Sequence, residues 1–345
     1  MVNHNIGPGI STRAFILREL RKDPGAPFSG ERFARALGVS RVAVWKGIRS
    51  LISAGYPITS GEAGYALAEN TDTDFLYPWE FGEKESRFRY FESTGSTMDR
   101  AREYAPAPGT GAMVFTAGAQ SSGRGRSGRN WASKPGGLFF TILEKPDLAV
   151  ADYLRFSMEI QIAVARAVFS LCGKKTFLRW PNDVYVDGKK IAGVLTELFG
   201  EGDRLRWISC GVGINVNNKL PMGALSGEKA VSCAKIAGHP LRRREGLNIF
   251  LAELEKLRKN KGTGEEISRV WNSLAEGIKA PVALIPAGHG EDKESKARSN
   301  TTAILRQGVF LGIDAQGRCV IQDESGESRY VPGAISLIYK GRQHE

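Results

Sequence analysis

The chain has 345 residues, more than twice the roughly 150 of an average domain, so two or three domains with a sizeable core are expected. Hydrophobic residues at 41% and charged residues at 25% are globular values, and no apolar run approaches the ~18 residues that cross a bilayer, which excludes a membrane-spanning protein. Lys plus Arg exceed Asp plus Glu by 48 to 37, and the net charge of +11 permits a polyanionic partner such as DNA without requiring one. The opening MVNHNIG lacks the basic start and apolar stretch of a secretory signal, so the expected location is the cytoplasm. Cys172, Cys210, Cys233 and Cys319 form no C-x-x-C pair, which argues against a disulfide framework or a zinc site.

The first segment reads as a winged helix-turn-helix over 1–68. Ala14, Ile16, Leu17 and Leu20 share a helical face after Ser11 and Thr12. Ser29 caps a second helix with Phe33, Ala34 and Leu37, which Gly38 stops. Ser40 starts a third, whose buried stripe is Val42, Val44, Ile48, Leu51 and Ile52, until Gly55. Ser40, Arg41, Trp45, Lys46 and Arg49 are the candidate DNA-binding residues of this helix; Trp45 could instead be a buried anchor. The stretch YPITSGEAGYAL supplies a two-stranded wing. Composition then turns polar, and 69–87 reads as a linker.

From 88 to 278 the chain alternates strands and helices without a strict βαβ rhythm. Strands are expected around Val114, 138–143, 177–180, 184–186, 191–198 and 207–216, with a long helix from Tyr153 to Leu171 and a hairpin turn at Asp187-Gly188. A mixed or antiparallel sheet with helices mainly on one face fits this order. Short β runs return in 279–345 and suggest a small β-barrel, with 288–300 as a loop.

Two strings carry chemistry. In QSSGRGRSGRNW, at 120–131, three arginines alternate with glycines, so the backbone can wrap an anion while guanidinium forks neutralise it. Its formal G-x-G-x-x-G opens no helix, which rules out a dinucleotide fingerprint. In RWPND, at 179–183, Pro181 ends a strand and leaves Asn182 and Asp183 in a bend, where turn chemistry and cation binding are both open; KKIAGVL follows, with Lys190 as an ammonium. GVGIN at 211–215 is either a tightly packed strand or a point of close ligand approach.

Taken in this order and at these separations, GRGRSGRNW, WPND, KKIAGVLTE and GVGIN resemble the biotin protein ligases, and with the winged helix the bifunctional ligases that also repress biotin operons. The resemblance covers nearly the whole chain. It implies an α+β fold with a class II synthetase-like core and a C-terminal SH3-like barrel. It implies that biotin and ATP form biotinyl-5′-AMP and that biotin passes to a lysine of a biotin carboxyl carrier protein. Ser96, Thr97, Gln120, Gly123, Gly193 and Leu195 would serve biotin; Arg124, Gly125 and Arg126 would close over its carboxylate and the phosphate, with Lys190 pairing the carboxylate. Arg126, Trp131, Asn182, Asp183 and Asn215 would serve ATP, Asp183 would take Mg²⁺, and Arg124, Arg126, Arg179, Lys190 and Asp183 form the catalytic set. Operator DNA and a homodimer of the adenylate-bound form are the further expected partners. Met98 stands where the family commonly has Asn, and Arg179 where it has Lys. A biotin-sensing transcription factor without turnover and a lipoate-type ligase are the alternatives.

Overall fold

Serine hydroxyls start each of the first three helices in the computed structural model, which describes residues 10–69, 73–105, 111–145, 153–201, 204–220, 230–260, 262–286 and 304–339. Ser11, Ser29 and Ser40 accept from the N–H groups of Ala14, Arg32 and Ala43, opening α1 (Thr12–Leu20), α2 (Gly30–Leu37) and α3 (Arg41–Ser53). Gly38, at φ 65°, closes α2 in the left-handed conformation that a side chain would disfavour. A hairpin of β1 (Ile58–Gly61) and β2 (Gly64–Leu67) follows. Phe15, Ile16, Leu20, Phe33, Val44, Ile48 and Leu51 form the core of this first unit, which runs over Met1–Tyr90.

Two expectations fail here. Val42 and Ile52 do not join the buried stripe: they are 60% and 36% exposed, and Trp45, at 53%, is no buried anchor. At about 100° per residue Val42 lies about 160° around α3 from Val44, so both cannot face one core. Gly47 takes the inward place, close against Thr12 and Ile16. The polar stretch after residue 69 is also no free linker once the description resumes at residue 73. Leu76 is buried, and Phe75, Tyr77 and Trp79 pack against the core. A 3-10 segment over Pro78–Arg87 carries Glu80, whose side chain is fully buried and accepts two hydrogen bonds from Arg21, at 2.7 and 2.9 Å, and one from the Tyr56 hydroxyl. Burial, then the neighbouring Glu80, raises the Tyr56 pKa well above its ordinary value, which keeps that hydroxyl a donor.

The second unit, Phe91–Glu345, is built on a seven-stranded sheet. Its strands are β3 (Phe88–Thr94), β4 (Met113–Gln120), β5 (Leu138–Glu144), β6 (Phe177–Arg179), β7 (Asp183–Val186), β8 (Lys189–Glu201) and β9 (Arg204–Ile214), in the order β3-β4-β5-β9-β8-β7-β6. From β4 through to β6 every ladder is antiparallel. Asp187 and Gly188, both at positive φ, make the expected tight turn between β7 and β8.

Successive strand residues point to opposite faces, so two contacts of β5 sort the helices. Thr141 bonds to Thr97 of α4 (Thr97–Tyr104), whereas Phe140 meets Phe250 of α7 (Arg243–Lys259) at 4.8 Å. The long α5 (Tyr153–Cys172) packs with both α7 and α8 (Gly264–Leu274), Trp271 of α8 donating to Gln161 of α5 at 3.0 Å. One face is therefore covered by long helices, and the other carries, among the described helices, the short α4. A short α6 (Cys233–Ala237) follows β9.

The C-terminal strands are β10 (Pro281–Pro286), β11 (Arg306–Ile313), β12 (Cys319–Asp323), β13 (Gly326–Tyr330) and β14 (Ile335–Tyr339), an antiparallel sheet of order β13-β12-β11-β10-β14. The sequence reading did not identify β13, whose GESRY carries no apolar alternation. The loop expected at 288–300 lies outside the described residues. Among the described residues no helix is long and apolar enough to cross a membrane.

Candidate active site

Cross-strand partners share a face, and this register assembles the floor of a cavity of about 750 Å³. Asp183 pairs with Gly193, Gly193 with Gly213, and Gly213 with Phe139; in the next row Leu195 pairs with Gly211 and Gly211 with Thr141. The glycines clear space above the sheet. A Cβ on Gly213 would fall 2.6 Å from Cε2 of Trp131, one on Gly193 3.0 Å from its Cζ3, and one on Gly211 2.6 Å from Sδ of Met98. Trp131 thus lies over two glycines, its indole N–H buried without a hydrogen-bond partner among the described residues.

The N-terminus of α4 forms one wall. Ser96 caps it, accepting from the Met98 N–H at 3.2 Å. The Gln120 carbonyl accepts from both the Thr97 N–H, at 2.8 Å, and the Thr97 hydroxyl, at 3.1 Å, while its amide donates to Ser133 at 2.8 Å. Thr141 donates to Thr97 at 2.8 Å and completes a buried chain that fixes these rotamers. Thr141 and Ser133 escaped the sequence reading, because a threonine inside an apolar strand and a serine after a loop carry no motif.

The arginine-rich loop is a small closed hairpin. Gly125 N–H donates to the Arg129 carbonyl at 2.7 Å, Trp131 N–H to the Gly123 carbonyl at 2.8 Å, and Ser127 and Gly128 turn the chain at positive φ. Gly123 does not line the cavity; it sits at the hairpin base, where a Cβ would strike the Trp131 carbonyl at 2.6 Å. Arg124 lines the cavity but is held sideways by Asp99, at 2.6 Å, and Glu197, at 3.4 Å, and Glu197 also pairs Arg102 at 2.7 Å. Burial alone would lower the Arg124 pKa, but the two carboxylates outweigh it and raise the pKa above its ordinary value. Arg126 contrasts with it. Its one hydrogen bond among the described residues is a long 3.5 Å contact to Asn182, it makes no ion pair there, and burial lowers its pKa. An anion entering the cavity meets this guanidinium nearly free.

Opposite Arg126, the Lys190 ammonium pairs with Oδ2 of Asp183 at 2.6 Å and lies 5.6 Å from the Trp131 ring centre. The other oxygen, Oδ1 of Asp183, is buried with no hydrogen-bond partner among the described residues. Asn182 donates to the Val194 carbonyl at 2.8 Å, and Asn215, buried, accepts from Asn218 at 3.1 Å. Ser96, Thr97, Gln120, Arg124, Gly125, Arg126, Trp131, Asn182, Asp183, Lys190, Gly193, Leu195 and Asn215 therefore line one cavity, although they span 120 residues of sequence. Arg179 does not join them. Its guanidinium bonds buried Glu276 at 2.8 and 3.1 Å and stacks 3.8 Å from Tyr185, because a buried carboxylate requires a cation more than an open cavity does.

Residues 90–215 match the model of the biotin/lipoate A/B protein ligase family, and residues 12–66 match an HTH domain model. The chain is 30% identical over 346 residues to the bifunctional ligase/repressor BirA of Bacillus subtilis, covering 95% of this chain and 99% of that one. Identity to BirA of Escherichia coli is 28% over 318 residues, with 90% and 92% covered. The structure of biotin protein ligase from Aquifex aeolicus in complex with biotin and ATP superposes with a TM-score of 0.60 at 25% identity, covering 74% of this chain and 99% of that one. The alignment to the Bacillus relative spans nearly the whole of both chains, so the chain belongs to the bifunctional ligase/repressor branch of the biotin protein ligase family.

Proposed function

We propose that this protein activates biotin with ATP, transfers it to a lysine of a biotin carboxyl carrier protein, and represses transcription by binding operator DNA through its first unit. The observation that carries the enzymatic part is the convergence of a nearly free Arg126, Lys190 and a half-satisfied Asp183 over a glycine floor. Biotin's carboxylate oxygen attacks the α-phosphorus of ATP; an O–P bond forms, the Pα–O bond to the β-phosphate breaks, and pyrophosphate leaves. Two anions must approach each other, so fixed cations are needed where charge develops. Arg126 and Lys190 supply them. The carrier lysine amine then attacks the anhydride carbonyl, and AMP departs.

Biotin's ureido ring fits the Ser96–Thr97–Gln120 wall, and Gly193 and Leu195 lie under its apolar body. Asn182, Asp183, Asn215 and Trp131 serve the nucleotide. Asp183 and Asn182 suit Mg²⁺, which commonly takes one or two carboxylates and completes its shell with phosphates and water. Oδ1 of Asp183, without a hydrogen-bond partner among the described residues, would provide such a ligand, and the ion would neutralise phosphate charge. An ordered arginine hairpin excludes water from the labile anhydride. The same proposal includes 88–278 as the catalytic domain, 279–345 as an SH3-like barrel, for which the bulge at Phe310/Gly312 in β11 supplies the bend, and a dimer of the adenylate-bound form.

Incubation with biotin, ATP and Mg²⁺, followed by mass spectrometry, should reveal biotinyl-5′-AMP; with lipoate in place of biotin no adenylate is expected. Absence of the biotin adenylate would leave a sensor without turnover. Gly213→Ala should displace the Trp131 indole and raise the KM for biotin about tenfold, since overpacking at a rigid strand costs about 1–3 kcal/mol. An unchanged KM in pyrophosphate exchange would show that Trp131 does not shape the pocket. On the first unit, Lys46→Ala and Arg49→Ala should weaken operator binding, and a residue on phosphate should also lower the salt slope by about one. Identical affinities and slopes in gel shifts would remove both from the DNA surface. Ser40, as the cap of α3, and Arg41 complete that surface.

A further inference from the structure

The outward face of α3 carries two large apolar side chains. Val42 is 60% exposed and Trp45 53% exposed. At about 100° per residue, Arg41, Val42, Trp45, Lys46 and Arg49 fall within one arc of about 140° opposite the buried stripe of Val44, Gly47, Ile48 and Leu51. Around that arc the order is Arg41, Trp45, Arg49, Val42, Lys46, so cations stand at both edges and the apolar groups lie between them. The Arg49 guanidinium lies 5.9 Å from the Trp45 ring centre, which keeps it on the same surface.

A convex helical face of this size, with cations at its edges and two apolar side chains flanking Arg49 inside them, fits the major groove, where cations at the edges meet phosphates and the centre meets base edges. A second copy of the same face fits poorly, because three cations would oppose three cations. In the major groove the apolar feature that base edges present is the 5-methyl group of thymine. Val42 is also the second residue of α3, and the N-terminal residues of a recognition helix are those that reach base edges.

We propose that Val42 and Trp45 are specificity-determining residues that read thymine methyl groups in the operator. The inference rests on the DNA-binding reading above and goes beyond it, because it assigns sequence discrimination to two uncharged side chains rather than to the basic residues beside them. Since neither carries charge, each alters which sequence is bound without altering the number of phosphates neutralised.

The test uses full-length protein with biotin and ATP. Duplexes are selected from a random library, and each thymine of the winning sequence is replaced in turn by deoxyuridine, which lacks the methyl group and keeps the hydrogen-bonding edge. Fluorescence anisotropy should show, at one or more thymines per half-site, a loss of about fourfold for the wild-type protein, the value of one buried methyl group. The loss at those positions should vanish in Val42→Ala or in Trp45→Ala, with the salt slope unchanged, and unaltered thermal melting confirms that these exposed sites leave the fold intact. Uracil effects all within twofold, or a uracil penalty that persists in both variants, would overturn the proposal while leaving DNA binding in place. Self-association of DNA-free protein that Trp45→Ala abolishes, with no change in uracil sensitivity, would assign the patch to a copy-to-copy interface and overturn it as well. Enrichment of no duplex at all would instead sink the DNA-binding reading on which it stands.

Discussion

Arg126→Ala and Lys190→Ala should each lower the rate of biotinyl-5′-AMP formation by roughly 10²-fold or more, the scale lost when one preorganised charge-stabilising group is removed from a reaction centre. The expectation rests on how differently the cations of this chain are engaged. Arg124 is already committed to Asp99 and Glu197, and Arg179 to Glu276, so neither can meet a new anion without giving up an existing partner. Among the described residues Arg126 makes one long hydrogen bond, 3.5 Å to the amide oxygen of Asn182, and it is partly desolvated, so a phosphate or carboxylate that enters meets a cation without an ion-pair partner there. Lys190 pairs with Oδ2 of Asp183, whose other oxygen has no hydrogen-bond partner among the described residues. Single-turnover kinetics with radiolabelled ATP separates the effects: Arg126→Ala should fall mainly in the chemical step. Lys190→Ala should also weaken biotin binding, because the carboxylate loses its counterion before reaction. Arg179→Ala should stay within a few-fold of wild type in the same assay and should lower thermal stability instead, since it removes a cation from the buried Glu276. A fall of 10² in Arg179→Ala with normal rates in Arg126→Ala would reverse the assignment.

That contrast marks where the sequence was legible. Caps and turns were readable because their chemistry is local: Ser29, Ser40, Gly38 and Asp187-Gly188 all occupy the positions that their side chains or backbone freedom favour. The cavity residues were readable as strings, since GRGRSGRNW, WPND and GVGIN each lie on one continuous loop or strand. Partners distant in sequence were not readable. Nothing in RWPND says that Glu276, 97 residues on, takes the arginine, and nothing in the loop says that Asp99 and Glu197 take Arg124. Face assignment on α3 failed for a related reason. Val42 is as apolar as Val44, and only the position of Thr12 and Ile16 against Gly47 decides which of the two turns inward. The same argument applies to the segment after residue 69, where charged letters implied solvent although one of them, Glu80, has a fully buried side chain.

Glu80→Ala should therefore destabilise the first unit strongly, by about 3–4 kcal/mol, the lower half of the range for breaking a buried pair because Arg21 keeps about a third of its exposure. The glutamate joins three elements at once: Arg21 just after α1, Tyr56 just before β1, and the 3-10 segment that carries Glu80 itself. Its loss leaves the Arg21 guanidinium without its bidentate partner and the buried Tyr56 hydroxyl without its acceptor, and Trp79, which donates to that hydroxyl at 3.1 Å, loses its anchor. Glu80→Gln keeps the shape and one acceptor oxygen for Tyr56, so it should cost less than the alanine. The step from wild type to Glu80→Gln reads the loss of charge, and the step from Glu80→Gln to Glu80→Ala reads the loss of hydrogen bonding and shape. Urea unfolding of full-length protein followed by Trp fluorescence and by circular dichroism should then show the first unit melting early in Glu80→Ala, with operator binding lost in the same range. Adenylate formation should survive there, because Arg126, Lys190 and Asp183 all belong to the second unit. A variant that melts with the wild-type midpoint would mean that the segment from residue 73 is held by its aromatic side chains alone, Tyr77 and Trp79 stacked at 4.7 Å, and that 69–87 can be released as a linker after all.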